Sequence, residues 1–193
     1  WLNLGGDFRG IGFYRDSPTA TEGHVFPMQA DIEAAIAYKK MIVAGTVGYK
    51  GEKKRLPEPF VKKVVSRRHY ISYRPTDEAS LRGGKFQAVY GINTPDHAIF
   101  IKRGLGWDQS TETYNIEVAY IGERFNLFGT GIFGRPDAPE LNRETGGALT
   151  ASVSFLDSFK TGVSYFYGTN DFASRHVTGP WGILGFTSHF FLL

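Results

Sequence analysis

Successive side chains of an extended chain point to opposite sides, so a strict alternation of large apolar with small or polar residues marks a two-faced strand. Most of this chain alternates in that way. Leu149, Ala151, Val153 and Phe155 interleave with Ala148, Thr150, Ser152 and Ser154. Phe159, Val163, Tyr165 and Tyr167 interleave with Lys160, Gly162 and Ser164. Tyr114, Ile116, Val118 and Tyr120 oppose Thr113, Asn115, Glu117 and Ala119. Leu184, Phe186, Phe190 and Leu192 oppose Gly185, Thr187 and His189. The best helical competitor is 28–41, whose Ala and Glu favour helix. Its apolar residues Ile32, Ala34, Ile36 and Tyr38 nevertheless recur every second position, which predicts a strand.

The pattern predicts ten strands, near 3–14, 27–39, 42–51, 63–74, 80–91, 113–123, 126–135, 146–156, 159–168 and 180–193. Short links fall at Lys40–Met41, Pro75–Ala79, Arg124–Phe125 and Asp157–Ser158, and long polar links at 15–26, 52–62, 136–145 and 169–179. The segment 92–112 contains the strand-like HAIFIKRGLGW, but an eleventh strand there breaks the short–long order. It is read as a long loop, folded inward or extending a hairpin.

Short turns at one end and long loops at the other describe an antiparallel up-and-down barrel of the transmembrane kind. Strands of roughly 9 to 11 residues suffice to cross a bilayer, and closure satisfies every backbone polar group in lipid. Composition agrees. The chain of 193 residues holds 16 Phe, 10 Tyr, 3 Trp and 24 Gly, yet its mean hydropathy is only −0.24. An apolar row turned outward, a small polar row turned inward and charged loops together give that average. Phe13, Tyr14, Tyr38, Tyr49, Tyr73, Tyr90, Tyr120, Phe133, Tyr165 and Tyr167 lie near strand ends, where interfacial girdles form. A soluble β-sandwich or lipocalin-like barrel also alternates, but its solvent face carries more Lys and Glu than the Ser/Thr/Gly/Ala face of 146–168.

The aromatic content excludes a disordered chain, and no run of about 18 apolar residues predicts a transmembrane helix. With 0 Cys there is neither a disulfide nor a thiolate metal site. The chain starts at Trp1 and stops at Phe190-Phe191-Leu192-Leu193 in mid-pattern. It is expected to be one β-barrel domain over 1–193 and a fragment of a longer protein, in which case the intact barrel is larger.

The stretch 81–120, LRGGKFQAVYGINTPDHAIFIKRGLGWDQSTETYNIEVAY, resembles a pattern of porin-like outer-membrane proteins. A strand of the form L-R-x-G-x-F ends in Y-G, a loop with D-H and basic residues follows, and a Y-N-x-E strand returns. The resemblance covers about 40 residues closely and the other hairpins loosely. It implies an outer-membrane β-barrel of porin type and supplies no substrate.

Charge is uneven. The net charge is +3, but residues 50–103 hold 13 Lys and Arg against 5 Asp and Glu, a local +8 against −5 elsewhere. Rings of basic side chains set anion preference in pores. Arg67, Arg82, Lys85, Lys102 and Arg103 are therefore candidate lumenal residues. Asp96 and His97, with Lys102 and Arg103, are candidates for an ionic knot that holds the long loop as a constriction. The competing reading has these bases paired with lumenal carboxylates or with lipopolysaccharide phosphates.

No further chemistry is expected. The five histidines, His24, His69, His97, His176 and His189, show no metal-ligand spacing, and no cofactor motif occurs. Ser66, His69 and Glu117 could form a nucleophile, base and acid. Three residues apart on a regular strand, however, Ser66 and His69 point to opposite faces, and there is no G-x-S-x-G elbow. The expectation is a non-enzymatic, porin-like channel of the bacterial outer membrane for small solutes or ions, with anion preference as its sharper form. Its partners are the bilayer and lipopolysaccharide, with envelope proteins or further copies of the chain, and not nucleic acid. Ten strands enclose a narrow lumen, so the alternatives are a structural barrel that scaffolds an envelope complex and, third, a soluble lipid-binding barrel.

Overall fold

The computed structural model describes residues 1–17, 20–50, 64–91, 112–135, 144–155, 159–170, 173–186 and 189–192. These form β1 (Leu2–Ser17), β2 (Ala20–Tyr38), β3 (Met41–Lys50), β4 (Val64–Tyr73), β5 (Ala79–Phe86), β6 (Thr113–Ile121), β7 (Phe125–Ile132), β8 (Thr145–Phe155), β9 (Phe159–Thr169), β10 (Ser174–Phe186) and β11 (His189–Leu192). They make one antiparallel meander in chain order, with no helix among the described residues. The all-β, up-and-down expectation holds. No ladder among the described residues joins β1 to β11, so the sheet described is open.

The segment with helix propensity is extended, because β2 is paired on both sides: Ile32 with Gly6 and with Val47, and Ile36 with Leu2 and with Val43. Two ladders of backbone hydrogen bonds outweigh the few tenths of a kcal/mol by which Ala and Glu favour a helix. The tight turn into β3 is made possible by Lys39, whose φ of 51° is left-handed.

Four boundaries differ from expectation. The region 15–26 is not a long polar loop, since β1 pairs with β2 up to Ser17–Ala20. Among the described residues the β2–β3 ladder runs to Gln29–Lys50, and Gly10–Ser17 and Ala20–Pro27 pair with each other beyond it as a ribbon. The region 169–179 is strand as well, because β10 starts at Ser174 and pairs with β9 from there. The last predicted strand, 180–193, turns back on itself, with Phe186 paired to His189. Finally, β5 ends at Phe86 rather than at residue 91.

The two faces of the sheet have opposite chemistry. In β6, Tyr114, Ile116, Val118 and Tyr120 are exposed, whereas Asn115, Glu117 and Ala119 are buried. In β8 and β9, Leu149, Val163, Tyr165 and Tyr167 are exposed, while Thr150, Ser152 and Ser164 are buried. The contrast is sharpest at neighbours: Ile32 is 73% exposed and Asp31 8%, Val118 61% and Glu117 4%. A water-soluble sheet buries its apolar row, and this one exposes it.

Candidate pore-lining site

The covered face collects the charges. A β-bulge in β4 governs its β2–β4 side: Arg68 pairs with Thr46 and Ser66 with Val47, so Arg67 is the extra residue between them. The bulge places Arg67 and Arg68 together on the covered face. Arg67 Nε donates to Asp31 Oδ1 at 2.7 Å and its terminal nitrogen to the Tyr49 carbonyl at 3.3 Å. Arg68 donates to Glu33 Oε1. Asp31 pairs with Gly48 in the ladder, and a β-carbon at Gly48 would collide with both Asp31 Oδ1 and Arg67 Nε. Glycine there lets this buried ion pair lie against the sheet.

Farther along, an Arg82 terminal nitrogen donates to Glu117 Oε1 at 2.7 Å, and Thr130 Oγ1 donates to Glu117 Oε2 at 3.1 Å. The Arg82 guanidinium stacks 3.9 Å over the Phe86 ring, a cation–π contact. Of the three described basic candidates, Arg67 and Arg82 thus lie on the covered face, each neutralised by a carboxylate. Lys85 is as buried as Arg67, but its Nζ donates to the Ser66 carbonyl at 2.9 Å rather than to a carboxylate; it stands opposite His69 and Tyr114 in the ladders. Asp96, His97, Lys102 and Arg103 lie outside the described residues, as does most of the predicted loop 92–112.

The described part of that connection, Gln87–Gly91, leaves the sheet after Phe86 and crosses the covered face. Its root is held by Asn115 Nδ2, which donates to the Phe86 carbonyl. Its far end docks on β8 and β9 through two hydroxyls. Thr150 Oγ1 donates to the Val89 carbonyl at 3.0 Å. Ser164 Oγ accepts from Gly91 N at 2.8 Å and from Trp181 Nε1 at 3.2 Å. The two hydroxyls lie 2.9 Å apart. The Thr150 proton is committed to a carbonyl, so Ser164 donates to Thr150 and every capacity of this pair but one lone pair of Thr150 is used. Gly91 has φ 62°, a value that glycine adopts without strain. Tyr90 packs between Ile132, Ala148 and Phe166 and so belongs to the interior, not to the predicted girdle. Burial raises its phenol above the usual pKa, and the ring stays neutral.

On the exposed face Ser66 and His69 form a polar pair, as do Tyr165 and His176, whose phenol oxygen lies 2.7 Å from Nδ1. The same bulge shifts alternation by one residue and brings Ser66 and His69 to the same side, where Ser66 Oγ and His69 Nδ1 are 2.8 Å apart. Regular alternation would put the two residues on opposite faces; the extra residue of the bulge, which sequence spacing does not reveal, puts them on one. Glu117 faces the other way, so the Ser–His–Glu trio does not form. Among the described residues no three His, Asp or Glu groups come together as a metal site.

Sequence reasoning missed Asp31, Glu33, Asn115, Thr150 and Ser164 as site residues. Their places in the polar rows were legible; their partners, 14 to 73 residues away for the two hydroxyls, were not. Comparison of the chain with protein-family models, curated proteins and solved structures gives no match.

Proposed function

We propose that this sheet is the wall of an outer-membrane β-barrel, closed by further pairing, that passes small polar solutes through its lumen. The observation that carries the reading is the reversed polarity of the two faces. Leaving a Val, Leu, Ile or Phe side chain in water rather than in an apolar phase costs about 1.5–3 kcal/mol, and the exposed row repeats such residues on every strand from β1 to β9. Lipid removes that cost, and the polar row then faces water in the lumen. Tyr38, Tyr73 and Tyr120 near one end, and Tyr14, Tyr165 and Tyr167 near the other, support placement of both interfaces. In a Gram-negative envelope these girdles meet phospholipid and lipopolysaccharide.

Within such a barrel, Gln87–Gly91 narrows the lumen on the side of β8 and β9. The Asp31–Arg67, Glu33–Arg68 and Glu117–Arg82 pairs line the other side with balanced charge. Anion preference then rests on Lys102 and Arg103. One observation favours the scaffold alternative: Tyr90 and its apolar neighbours fill part of the covered face, as a plug would.

Single-channel recording in planar bilayers separates the two. Ohmic steps with a reversal potential displaced toward the anion equilibrium potential are expected. A tightly inserted protein with no conductance contradicts the channel and favours the scaffold, and cation preference contradicts the role of the basic residues.

A further inference from the structure

We infer that Ser66 and His69 form a nucleophile–base pair that cleaves acyl esters of lipids lying against the exposed face of the sheet. Its position on the lipid side rests on the membrane reading above; the reactivity of Ser66 does not. The pair interrupts an apolar surface: Ser66 is cross-strand from Val47, and His69 shares its ladder row with Tyr114. Polar groups on a lipid-facing surface are costly and cluster at functional sites. Here a bulge brings the two residues to one face, both accessible, with Ser66 Oγ 2.8 Å from His69 Nδ1. That distance is within the reach a general base needs. The edge of the Tyr114 ring, 5.5 Å from the imidazole and inclined at 66°, fixes the plane of His69.

In the first half-reaction Ser66 Oγ attacks the ester carbonyl carbon while its proton passes to His69 Nδ1. The tetrahedral intermediate collapses with loss of the lysolipid alkoxide, which takes that proton from His69. Water then attacks the acyl-serine carbonyl, giving one proton to His69. The fatty acid leaves, and the proton returns to Ser66 Oγ. No carboxylate among the described residues contacts His69. Since loss of the acid from a triad lowers turnover about 10⁴-fold, slow turnover is expected.

The full chain, refolded in detergent, is treated with a fluorescent alkyl fluorophosphonate, and the modified peptide is identified by mass spectrometry. Covalent labelling at Ser66 is expected, abolished by Ser66→Ala and slowed at least ~100-fold by His69→Phe, which keeps the aromatic contact with Tyr114. Fatty-acid release from phosphatidylethanolamine in mixed micelles should follow the same order. Heat-modifiable gel migration establishes that each variant is folded. Absence of labelling at Ser66 in the folded parent, or equal labelling in His69→Phe, overturns the inference; a pair that only satisfies its own hydrogen bonds forms no adduct. Labelling at Ser66 without release of fatty acid from micellar lipid retains the reactive pair and overturns its lipid substrate. Conductance is read separately, so failure of the channel reading leaves the labelling result intact.

Discussion

Combining Thr150→Val with Ser164→Ala should raise single-channel conductance and add slow current fluctuations, because it removes the two hydroxyls that hold Gln87–Gly91 across the covered face. Thr150 accounts for the bond to the Val89 carbonyl, and Ser164 for those from Gly91 and Trp181 and the bond to Thr150. Two of these bonds, to Val89 and from Gly91, join the segment to the sheet; at a net 0.5–1.5 kcal/mol each, their loss weakens docking by about 2 kcal/mol. At about 1.4 kcal/mol per decade, the released arrangement becomes roughly thirtyfold more populated. Tyr90 still favours the docked state through its apolar neighbours, which is why fluctuation rather than a fully open channel is expected. Conductance and noise equal to those of the parent would show that the segment does not limit the pore.

Arg67→Met should destabilise the folded chain by about 3–5 kcal/mol, the usual cost of leaving one member of a buried ion pair behind. The Asp31 and Arg67 side chains retain only 7% and 10% exposure. The carboxylate that loses its guanidinium therefore cannot turn to solvent without disturbing the ladder. Adding Asp31→Asn to Arg67→Met should restore most of the loss, because the pair's Coulomb attraction is largely offset by desolvation. Urea denaturation in detergent, followed by the loss of heat-modifiable migration, reads both effects. A single variant as stable as the parent, or a double variant no better than the single, would show that the pair does not stabilise this part of the sheet.

Strand positions were legible in the sequence because they depend on a local property, the two-residue period, which Tyr114–Tyr120 and Leu149–Phe155 display without interruption. The balance between helix propensity and alternation at 28–41 was resolved correctly for the same reason. Features created by a change of that period were not legible. The bulge at Arg67 adds one residue, moves Ser66 to the face of His69 and sets two arginines side by side, and the residue types around it do not mark it. The departure of β5 from the sheet after Phe86 was hidden too, since Gln87–Gly91 continues an acceptable strand pattern. What redirects it is the pair of hydroxyls on β8 and β9, remote in sequence. The outer part of the β1–β2 ribbon, 15–26, was read as a loop because its residues, among them Arg15, Asp16, Ser17, Thr21 and Glu22, are mostly polar. Ser17 nevertheless pairs with Ala20, and the two arms stay paired from there. The charge excess of 50–103 drew attention to Arg67 and Arg82. It did not show that each has a carboxylate, supplied for Arg67 by Asp31 two strands away and for Arg82 by Glu117 on the neighbouring strand.

The exposed apolar row is expected to meet lipid. The chain has 0 Cys, so single cysteines can be placed along β6 from Tyr114 to Ile121 and spin-labelled without background. In the protein reconstituted into bilayers, collision with dissolved oxygen should peak at positions 116, 118 and 120. Collision with a water-soluble nickel chelate should peak at 115 and 117, giving two profiles of period two that are out of phase. Nickel accessibility at 116 and 118 equal to that of a label in aqueous solution would contradict the account and leave the apolar row facing water or another protein.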